Sequence, residues 1–136
     1  MKEKILTTVV IKTSILGWGM VLTYVILNSI GSFALKTQVQ KLGSWTFSGP
    51  SSIFSFFITL FSSWQTWIGI SAISIATGAW IMALSHLELS KAYPVAVGLN
   101  LLIILGISLL YFQETLTLSK IAGTVLIFAG ISCLFR

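Results

Sequence analysis

The chain has 136 residues, of which 56% are hydrophobic and 8% are charged, and its formal net charge is +5. Soluble domains carry about a quarter charged residues, and a chain this short and apolar cannot hide its hydrophobic surface in one water-soluble core. The composition therefore predicts an integral membrane protein. The basic residues stand singly beside apolar runs, as membrane-interface anchors do, whereas a nucleic-acid partner requires a clustered basic patch.

Apolar runs predict an all-α membrane protein with four transmembrane helices in a single domain, residues 1–136. A hydrocarbon core of about 30 Å needs about 20 helical residues, and four runs approach this length: 13–35, 67–87, 92–112 and 116–134. The stretch 51–63 is too short to span and carries phenylalanines at three- and four-residue steps. We expect it to form a short amphipathic helix lying in the membrane interface. An early, tilted start of the second span is the alternative.

A short polar turn, residues 86–91, joins the second and third spans, which must therefore run antiparallel. We expect Tyr93, Gly98 and Asn100 near the interface of these two helices. Pro94 falls in the first turn of the predicted third helix, where the missing N–H costs no hydrogen bond.

Polar side chains inside the spans are informative because a polar group in hydrocarbon is costly unless it is hydrogen-bonded. Asn28, Ser32 and Lys36 follow one another at four-residue steps and share a helix face. They predict a polar stripe lining a substrate path, with Lys36 at its mouth facing an anionic headgroup. Alternatively, Asn28 and Ser32 bond a neighbouring helix. Tyr93 and Asn100 lie two turns apart on one face of the third span and would join the path, unless Tyr93 is an interface anchor.

The fourth span predicts a contact with a second chain. Gly123 and Gly130 lie seven residues apart on one face, and small residues at such spacing let helices pack closely. Transporters commonly need two related halves around a midplane site, and four helices make only one half. We therefore expect a dimer. No nucleophile–base pair has catalytic spacing, and one His with three Glu offers little for a metal, so we predict no enzyme, cofactor or metal site.

The distribution of basic residues favours a multi-pass protein with both termini in the cytoplasm. The terminal side carries Lys2, Lys4, Lys12, Lys91 and Arg136, and the opposite side carries Lys36, Lys41 and Lys120. By the positive-inside rule, the side with more basic residues, which is the side of the two termini, faces the cytoplasm. The small margin leaves insertion in both orientations as an alternative.

Three motifs in order along residues 18–134 resemble the drug/metabolite transporter superfamily, in its small four-helix and EamA-type members. The first motif runs from Ala83-Leu84 to Leu89-Ser-Lys-Ala-Tyr-Pro94. The second is Tyr111-Phe-Gln-Glu-Thr-Leu116, and the third extends from Ile121-Ala-Gly123 to Gly130-Ile131. The segment from Asn28 to Lys36 is similar to the first-helix motif of the same proteins.

Two subfamilies fit this resemblance unequally. Small multidrug exporters carry a proton-exchanging glutamate in the first helix, and Asn28, which cannot ionise, stands at that position. Their third-helix tryptophan is matched by Ala96, although Tyr93 matches their binding-site tyrosine. The Ala-Tyr-Pro start at 92–94 is instead similar to the aminoarabinose-phosphoundecaprenol flippase subunits. That likeness implies paired four-helix chains that move a lipid-linked sugar across the inner membrane.

Three hypotheses follow for the function. The first is a flippase subunit for a lipid-linked sugar or similar amphiphile, acting in membrane lipid as a homodimer or with a similar four-helix chain. Its path would be lined by Asn28, Ser32, Tyr93 and Asn100, with Lys36 recognising negative charge. The second is a small multidrug or small-metabolite exporter that lacks the usual glutamate. The third is a non-transporting subunit that scaffolds an envelope glycosyltransferase.

Overall fold

A computed structural model describes the backbone of residues 2–43 and 49–135 and the side chains of 13–43 and 49–135. In these ranges the chain forms five helices and no strand: α1 (Lys2–Leu42), α2 (Pro50–Phe61), α3 (Trp64–Leu84), α4 (Leu89–Leu110) and α5 (Leu118–Leu134). The all-α prediction is confirmed there. The orientation prediction rests partly on side chains outside the described residues, those of Lys2, Lys4, Lys12 and Arg136.

In the part of the chain that the structure describes, three helices are long and apolar enough to cross a membrane. They are the Thr13–Leu42 part of α1, α3 and α4. Helix α1 continues past the predicted end at residue 35, because Lys36–Leu42 keep helical geometry on the far side of the apolar run. Helix α5 has 17 residues, about 25 Å of rise, which lies at the short end of what a spanning helix needs. A fourth span therefore stays a prediction.

The short helix between the first two long ones is confirmed as a separate element. Helix α2 carries Pro50 in its first turn, where proline is pre-organised for a helix. It ends before Ser62 and Ser63, and α3 starts anew at Trp64. The Thr66 hydroxyl donates to the Leu60 carbonyl at 2.6 Å and closes this corner. Because α2 and α3 are two helices, the second span has no early continuous start. The place of α2 at a membrane interface stays a prediction.

Helix α4 begins earlier than predicted, and the prediction that Pro94 lies in its first turn is wrong. The N–H groups of Lys91 and Ala92 donate to the Glu88 carbonyl at 3.1 and 2.9 Å, so the helix starts at Leu89 within the polar stretch. Pro94 lies inside the helix. Since proline has no N–H, position 94 gives the Ser90 carbonyl no helical hydrogen bond.

Helix α1 is the central element, and it packs far more extensively on α3 than on any other helix. The closest approach is at Gly31 and Gly69. A Cβ on Gly31 would lie 2.6 Å from Cγ1 of Ile73 and 2.8 Å from the Gly69 carbonyl oxygen. Only residues without a side chain let two helices approach so closely. The buried core lies nearer the turn between α3 and α4 and consists of Val21, Val25, Ala83, Ala92 and Ala96.

The expected meeting of Tyr93, Gly98 and Asn100 between α3 and α4 is wrong for two of the three. Tyr93 packs edge-on against Trp80 of α3, with ring centroids 6.1 Å apart. Gly98 instead faces α5, where a Cβ would lie 2.6 Å from Cδ1 of Ile131. Asn100 faces α1. The reason is that α1 rather than α3 covers this face of α4, so the two helices of the hairpin touch little beyond their turn.

Candidate functional site

Three polar side chains meet between α1 and α4. Asn100 accepts two hydrogen bonds through Oδ1, from the Ser29 hydroxyl at 2.9 Å and from Nδ2 of Asn28 at 3.3 Å. Ser29 is buried, whereas the two amides are half-buried. The structural alternative for Asn28, a hydrogen bond to a neighbouring helix, is confirmed. We call Asn28, Ser29 and Asn100 the amide cluster.

Lys36, expected to be available to an anionic headgroup, is paired with Glu114. Its ammonium group donates to Oε1 of Glu114 and also lies 4.3 Å from the centre of the Phe112 ring. The buried hydroxyl of Ser108 donates to the other carboxylate oxygen, and Lys120 Nζ lies 3.7 Å from it. Two lysines and one glutamate leave a local charge of +1. We call Lys36, Ser108, Glu114 and Lys120 the lysine cluster.

The loop between α4 and α5 is shaped to aim the Glu114 carboxylate back at α1. Gln113 adopts a positive φ of 53°, and the Glu114 N–H donates to the Ser108 carbonyl at 3.1 Å. The hydrogen bond from Lys36, and after it that from Ser108, lowers the pKa of Glu114 to about 2. Phe33 of α1 packs edge-on against Tyr111 at 4.7 Å, which fixes the loop against the helix.

Ser32 lies on the same side of α1 as the two clusters. It lines a small cavity of about 60 Å³ together with Ser29, Lys36 and Ser108. This volume holds a few water molecules at most. Four of the five predicted path residues (Asn28, Ser32, Lys36 and Asn100) therefore lie along the contact between α1 and α4.

Tyr93, the fifth, is farther along α4 and 58% exposed. Its ring packs against Trp80, whose ring lies 5.1 Å from that of Tyr24 on α1. Tyr93 is seven residues before Asn100, about 10 Å along the helix. The rings of Tyr24, Trp80 and Tyr93 thus lie between the amide cluster and the turn that joins α3 to α4.

The part of α1 between the α3–α4 turn and the lysine cluster is about as long as a bilayer core is thick. Gly17 touches the turn between α3 and α4, since a Cβ there would lie 2.7 Å from Cγ of Leu87. Lys36 follows 19 residues later in the same helix, which corresponds to about 28 Å. Asn28 lies eight residues before Lys36, about 12 Å away. The amide cluster is therefore close to the middle of α1's apolar stretch.

The predicted packing face on α5 is open in this structure. A Cβ on Gly123 or on Gly130 would meet no heavy atom within 4 Å. No residue of α5 is buried. Among the described residues, no three His, Cys, Asp or Glu side chains lie close enough to hold a metal ion together.

Sequence reasoning missed the partners of the predicted residues. Ser29 lies one position off the Asn28–Ser32 stripe, and Ser108 lies near the end of an apolar run. Glu114 appears in the sequence analysis only as part of the Tyr111–Leu116 motif, with no partner predicted for it. The signal that could have found it is charge balance, because a lysine at the end of a span needs a counter-ion and the chain has only three acidic residues.

Several curated proteins are similar to this chain over most of its length. A probable 4-amino-4-deoxy-L-arabinose-phosphoundecaprenol flippase subunit ArnF of Serratia proteamaculans is 31% identical over 108 residues, which cover 74% of this chain and 83% of the relative. The probable ArnE subunit of the same flippase from Pseudomonas paraeruginosa is 25% identical over 118 residues, covering 87% and 96%. A third relative, ArnE of Pseudomonas savastanoi pv. phaseolicola, is 27% identical over 119 residues, covering 88% and 96%.

Searches for a matching family model and for a similar solved structure found none. The relatives nevertheless share one name, and the match to ArnF of Serratia proteamaculans combines sequence identity with coverage of most of both chains. The resemblance seen in the Ala-Tyr-Pro motif is thereby confirmed. This chain belongs to the family of 4-amino-4-deoxy-L-arabinose-phosphoundecaprenol flippase subunits.

Proposed function

We propose that this chain is a four-span subunit of a flippase that moves an undecaprenyl-phosphate-linked amino sugar, or a similar amphiphile, across the inner membrane. Both termini lie in the cytoplasm, and the active form is a dimer with itself or with a related four-helix chain. The proposal rests on one observation. In a chain of this family, polar groups follow one another along the contact of α1 with α4 from Asn28 to Lys36, over about 12 Å of helix.

The amide cluster suits the passage of a sugar. Its groups are uncharged donors and acceptors, so they can exchange hydrogen bonds among themselves for hydrogen bonds to sugar hydroxyls without creating a buried charge. A sugar passing Asn28 and Asn100 would meet amide groups in place of water. Ser32 and Tyr93 extend this surface in the two directions along the helices.

The lysine cluster suits the phosphate. Lys36 is paired with Glu114 rather than free, but the cluster keeps a charge of +1 because Lys120 lies beside the same carboxylate. A phosphodiester carries one negative charge and would be attracted to this end of α1. Lys36 recognises it by sharing its ammonium protons between Glu114 and the phosphate oxygens.

The lipid tail requires an apolar flank beside the polar line. A groove of about 330 Å³ opens between α4 and α5, with Ile104, Leu105 and Ile127 along it and Lys120 at one end. A polyprenyl chain in this groove would keep its phosphate next to the lysine cluster. The groove is open to the surroundings of the monomer, and because Gly123 lines it, a partner helix packed on α5 would border the tail while the headgroup moves.

The open face of α5 supports the dimer, with Gly123 and Gly130 as the packing positions. Their lack of a neighbour within 4 Å leaves room for a second helix. The names of the relatives denote transport rather than catalysis, and the polar groups of the path need only bind and release. We therefore propose no enzymatic step and no cofactor.

Reconstituted vesicles test this function directly. The chain, alone and with its candidate partner subunit, is inserted into vesicles that carry undecaprenyl-phosphate-linked 4-amino-4-deoxy-L-arabinose. A membrane-impermeant amine reagent then labels only sugar on the outer leaflet. Flipping raises the labelled fraction from about half toward completion.

Two path variants and one control sharpen the result. Asn28→Leu and Lys36→Ala should each slow flipping at least about tenfold, because each removes hydrogen bonds worth 1–2 kcal/mol or more to the moving headgroup. Ser74→Ala should leave the rate unchanged, since Ser74 bonds only the Ile70 carbonyl of its own helix at 2.8 Å. Unchanged flipping in both path variants would refute the assigned path. Vesicles that never flip with any partner, while the chain co-purifies with a glycosyltransferase, would favour the scaffold instead.

A further inference from the structure

A second polar chamber lies at the Thr13 end of the candidate span Thr13–Leu42, opposite the lysine cluster. It has a volume of about 480 Å³ and is lined by Thr13, Ser14, Trp18, His86, Leu87, Glu88 and Lys91. Small-molecule sites commonly measure about 300–1,000 Å³. We call this space the turn chamber, because the turn between α3 and α4 forms one of its walls.

The wall of the turn chamber is held against α1 by direct contact. A Cβ on Gly17 would lie 2.7 Å from Cγ of Leu87 and 3.1 Å from Cβ of His86. The turn itself is fixed by the N–H groups of His86 and Leu87, which both donate to the Ala83 carbonyl at 3.0 Å. The wall that the turn contributes therefore has a fixed backbone.

The turn chamber carries both signs of charge. Lys91 Nζ and Oε2 of Glu88 form an ion pair at 2.8 Å, and both side chains are more than half exposed. An exposed pair of this kind contributes little to stability, so a ligand can separate it at small cost. This differs from the lysine cluster, where Glu114 is also bonded to Ser108 and fixed by a shaped loop.

A ligand that separates the pair must offer a partner to each member. Lys91 needs an anion and Glu88 needs a cation, and the two binding groups start 2.8 Å apart. The headgroup named for the relatives has this composition, since it joins a phosphate to a sugar that bears an amine. Trp18 and the imidazole of His86 add flat surfaces and a hydrogen-bonding group for the sugar ring between them.

We propose that the turn chamber is a loading site for the amino-sugar phosphate headgroup, with Lys91 binding the phosphate and Glu88 binding the sugar's ammonium group. This inference rests on the proposed function and adds a site to it at the other membrane face, about 28 Å along α1 from the lysine cluster. With the termini in the cytoplasm, the chamber faces the side where the headgroup is taken up. The headgroup then passes the aromatic rings and the amide cluster to reach the lysine cluster.

His86 gives this site its own reporter, because it is the only histidine in the chain. The full chain, labelled in its histidine ring, is placed in nanodiscs of uncharged phosphatidylcholine. The His86 ring resonances are then followed by NMR while water-soluble 4-amino-4-deoxy-L-arabinose 1-phosphate is added. We expect a saturable shift. L-arabinose 1-phosphate, which lacks the amine, and inorganic phosphate should bind at least about tenfold more weakly, because neither offers Glu88 a cation.

Matched variants separate recognition from a general charge effect. Glu88→Gln should erase the preference for the amine-bearing probe, and Lys91→Gln should weaken both sugar phosphates at least about tenfold. Lys41→Gln removes a lysine bonded to Gln65 at the other end of the molecule and should change nothing. Equal affinity for the probes with and without the amine, or no saturable shift in the unmodified chain, would overturn the inference. The vesicle assay reads flipping separately, so flipping without chamber binding refutes only this site, and chamber binding without flipping refutes the proposed function.

Discussion

Asn100 holds two side chains of α1 at once, because its single carbonyl oxygen accepts from both Ser29 and Asn28. At this depth a lost partner cannot be replaced by water, so each hydroxyl or amide depends on the geometry of its neighbours. Hydrogen bonds between membrane helices are nevertheless modest in free energy, since the unfolded chain in lipid also finds partners. Replacing Asn100 should therefore lower the free energy of unfolding measurably without unfolding the chain.

We predict that Asn100→Leu lowers the free energy of unfolding by about 1–2 kcal/mol, because the buried Ser29 hydroxyl loses its acceptor. The measurement is unfolding in mixed micelles of increasing denaturing-detergent content. Thr77→Ala is the matched control and should stay within about 0.5 kcal/mol of the parent, since Thr77 bonds the Ile73 carbonyl of its own helix. A loss as small as the control's would contradict a structural role for the cluster.

Glu114 makes the stability of the chain depend on pH in the acidic range. The folded chain holds this carboxyl at a pKa of about 2, against an ordinary value of 4.5, so the unfolded chain takes up the proton first as the pH falls. The contribution is complete above about pH 4.5 and is lost progressively toward pH 2. Glu114→Gln should remove this part of the pH profile.

Two lysine variants locate the origin of that pH dependence. Lys36→Gln should abolish most of it, because the Lys36 hydrogen bond is the main cause of the lowered pKa. Lys120→Gln should keep most of it, since Lys120 acts only through its charge from 3.7 Å. The measurement is the unfolding midpoint at a series of pH values between 2 and 7. Equal effects of the two variants would contradict the pairing seen in the structure.

At the scale of the helices, the crossing of α1 with α3 depends on two glycines. Gly31 has the Ile73 side chain and the Gly69 carbonyl where a Cβ would be, and Gly69 has Cγ of Leu35 at 2.8 Å from its own Cβ position. A backbone atom cannot rotate away as a side chain can. Any side chain at Gly31 must therefore separate the helices.

We predict that Gly31→Ala destabilises the chain by about 1–3 kcal/mol through overpacking. Gly78→Ala on α3, where a Cβ would meet nothing within 4 Å, should be neutral or stabilising by up to about 1 kcal/mol through helix propensity. The same detergent titration measures both. If Gly31→Ala proves as benign as Gly78→Ala, the helices do not approach as closely as described.

The long helices could be predicted from the sequence because apolar length alone specifies them. The boundaries could not, because α4 starts within the polar turn at Leu89 and α1 runs through Lys36 to Leu42. The periodicity of polar residues on one helix also does not predict which other helix packs against that face. Asn28 and Asn100 were both found as polar residues at depth, yet their direct contact depends on α1 lying over α4. Ser29, Ser108 and the role of Glu114 depend on tertiary contacts that no local pattern encodes.

At the scale of the whole molecule, α5 has no buried residue and carries the face that we propose for a second chain. We predict that Gly123→Leu combined with Gly130→Leu weakens dimer formation in membranes, because the added side chains fill the space that a partner helix needs. Chemical crosslinking in vesicles at a series of protein-to-lipid ratios measures the dimer. Gly78→Leu, an open position on α3, is the control. An unchanged crosslinked fraction in the double variant would contradict the proposed face.

The mutual pairing of the polar side chains at mid-depth also bears on what happens while the protein carries no cargo. With Nδ2 of Asn28 and the Ser29 hydroxyl both bonded to Asn100, these two donors are not available to a file of water molecules. We expect this arrangement to resist the passage of protons while no substrate is bound. A membrane could then hold many copies of the proposed subunit without leaking protons through them.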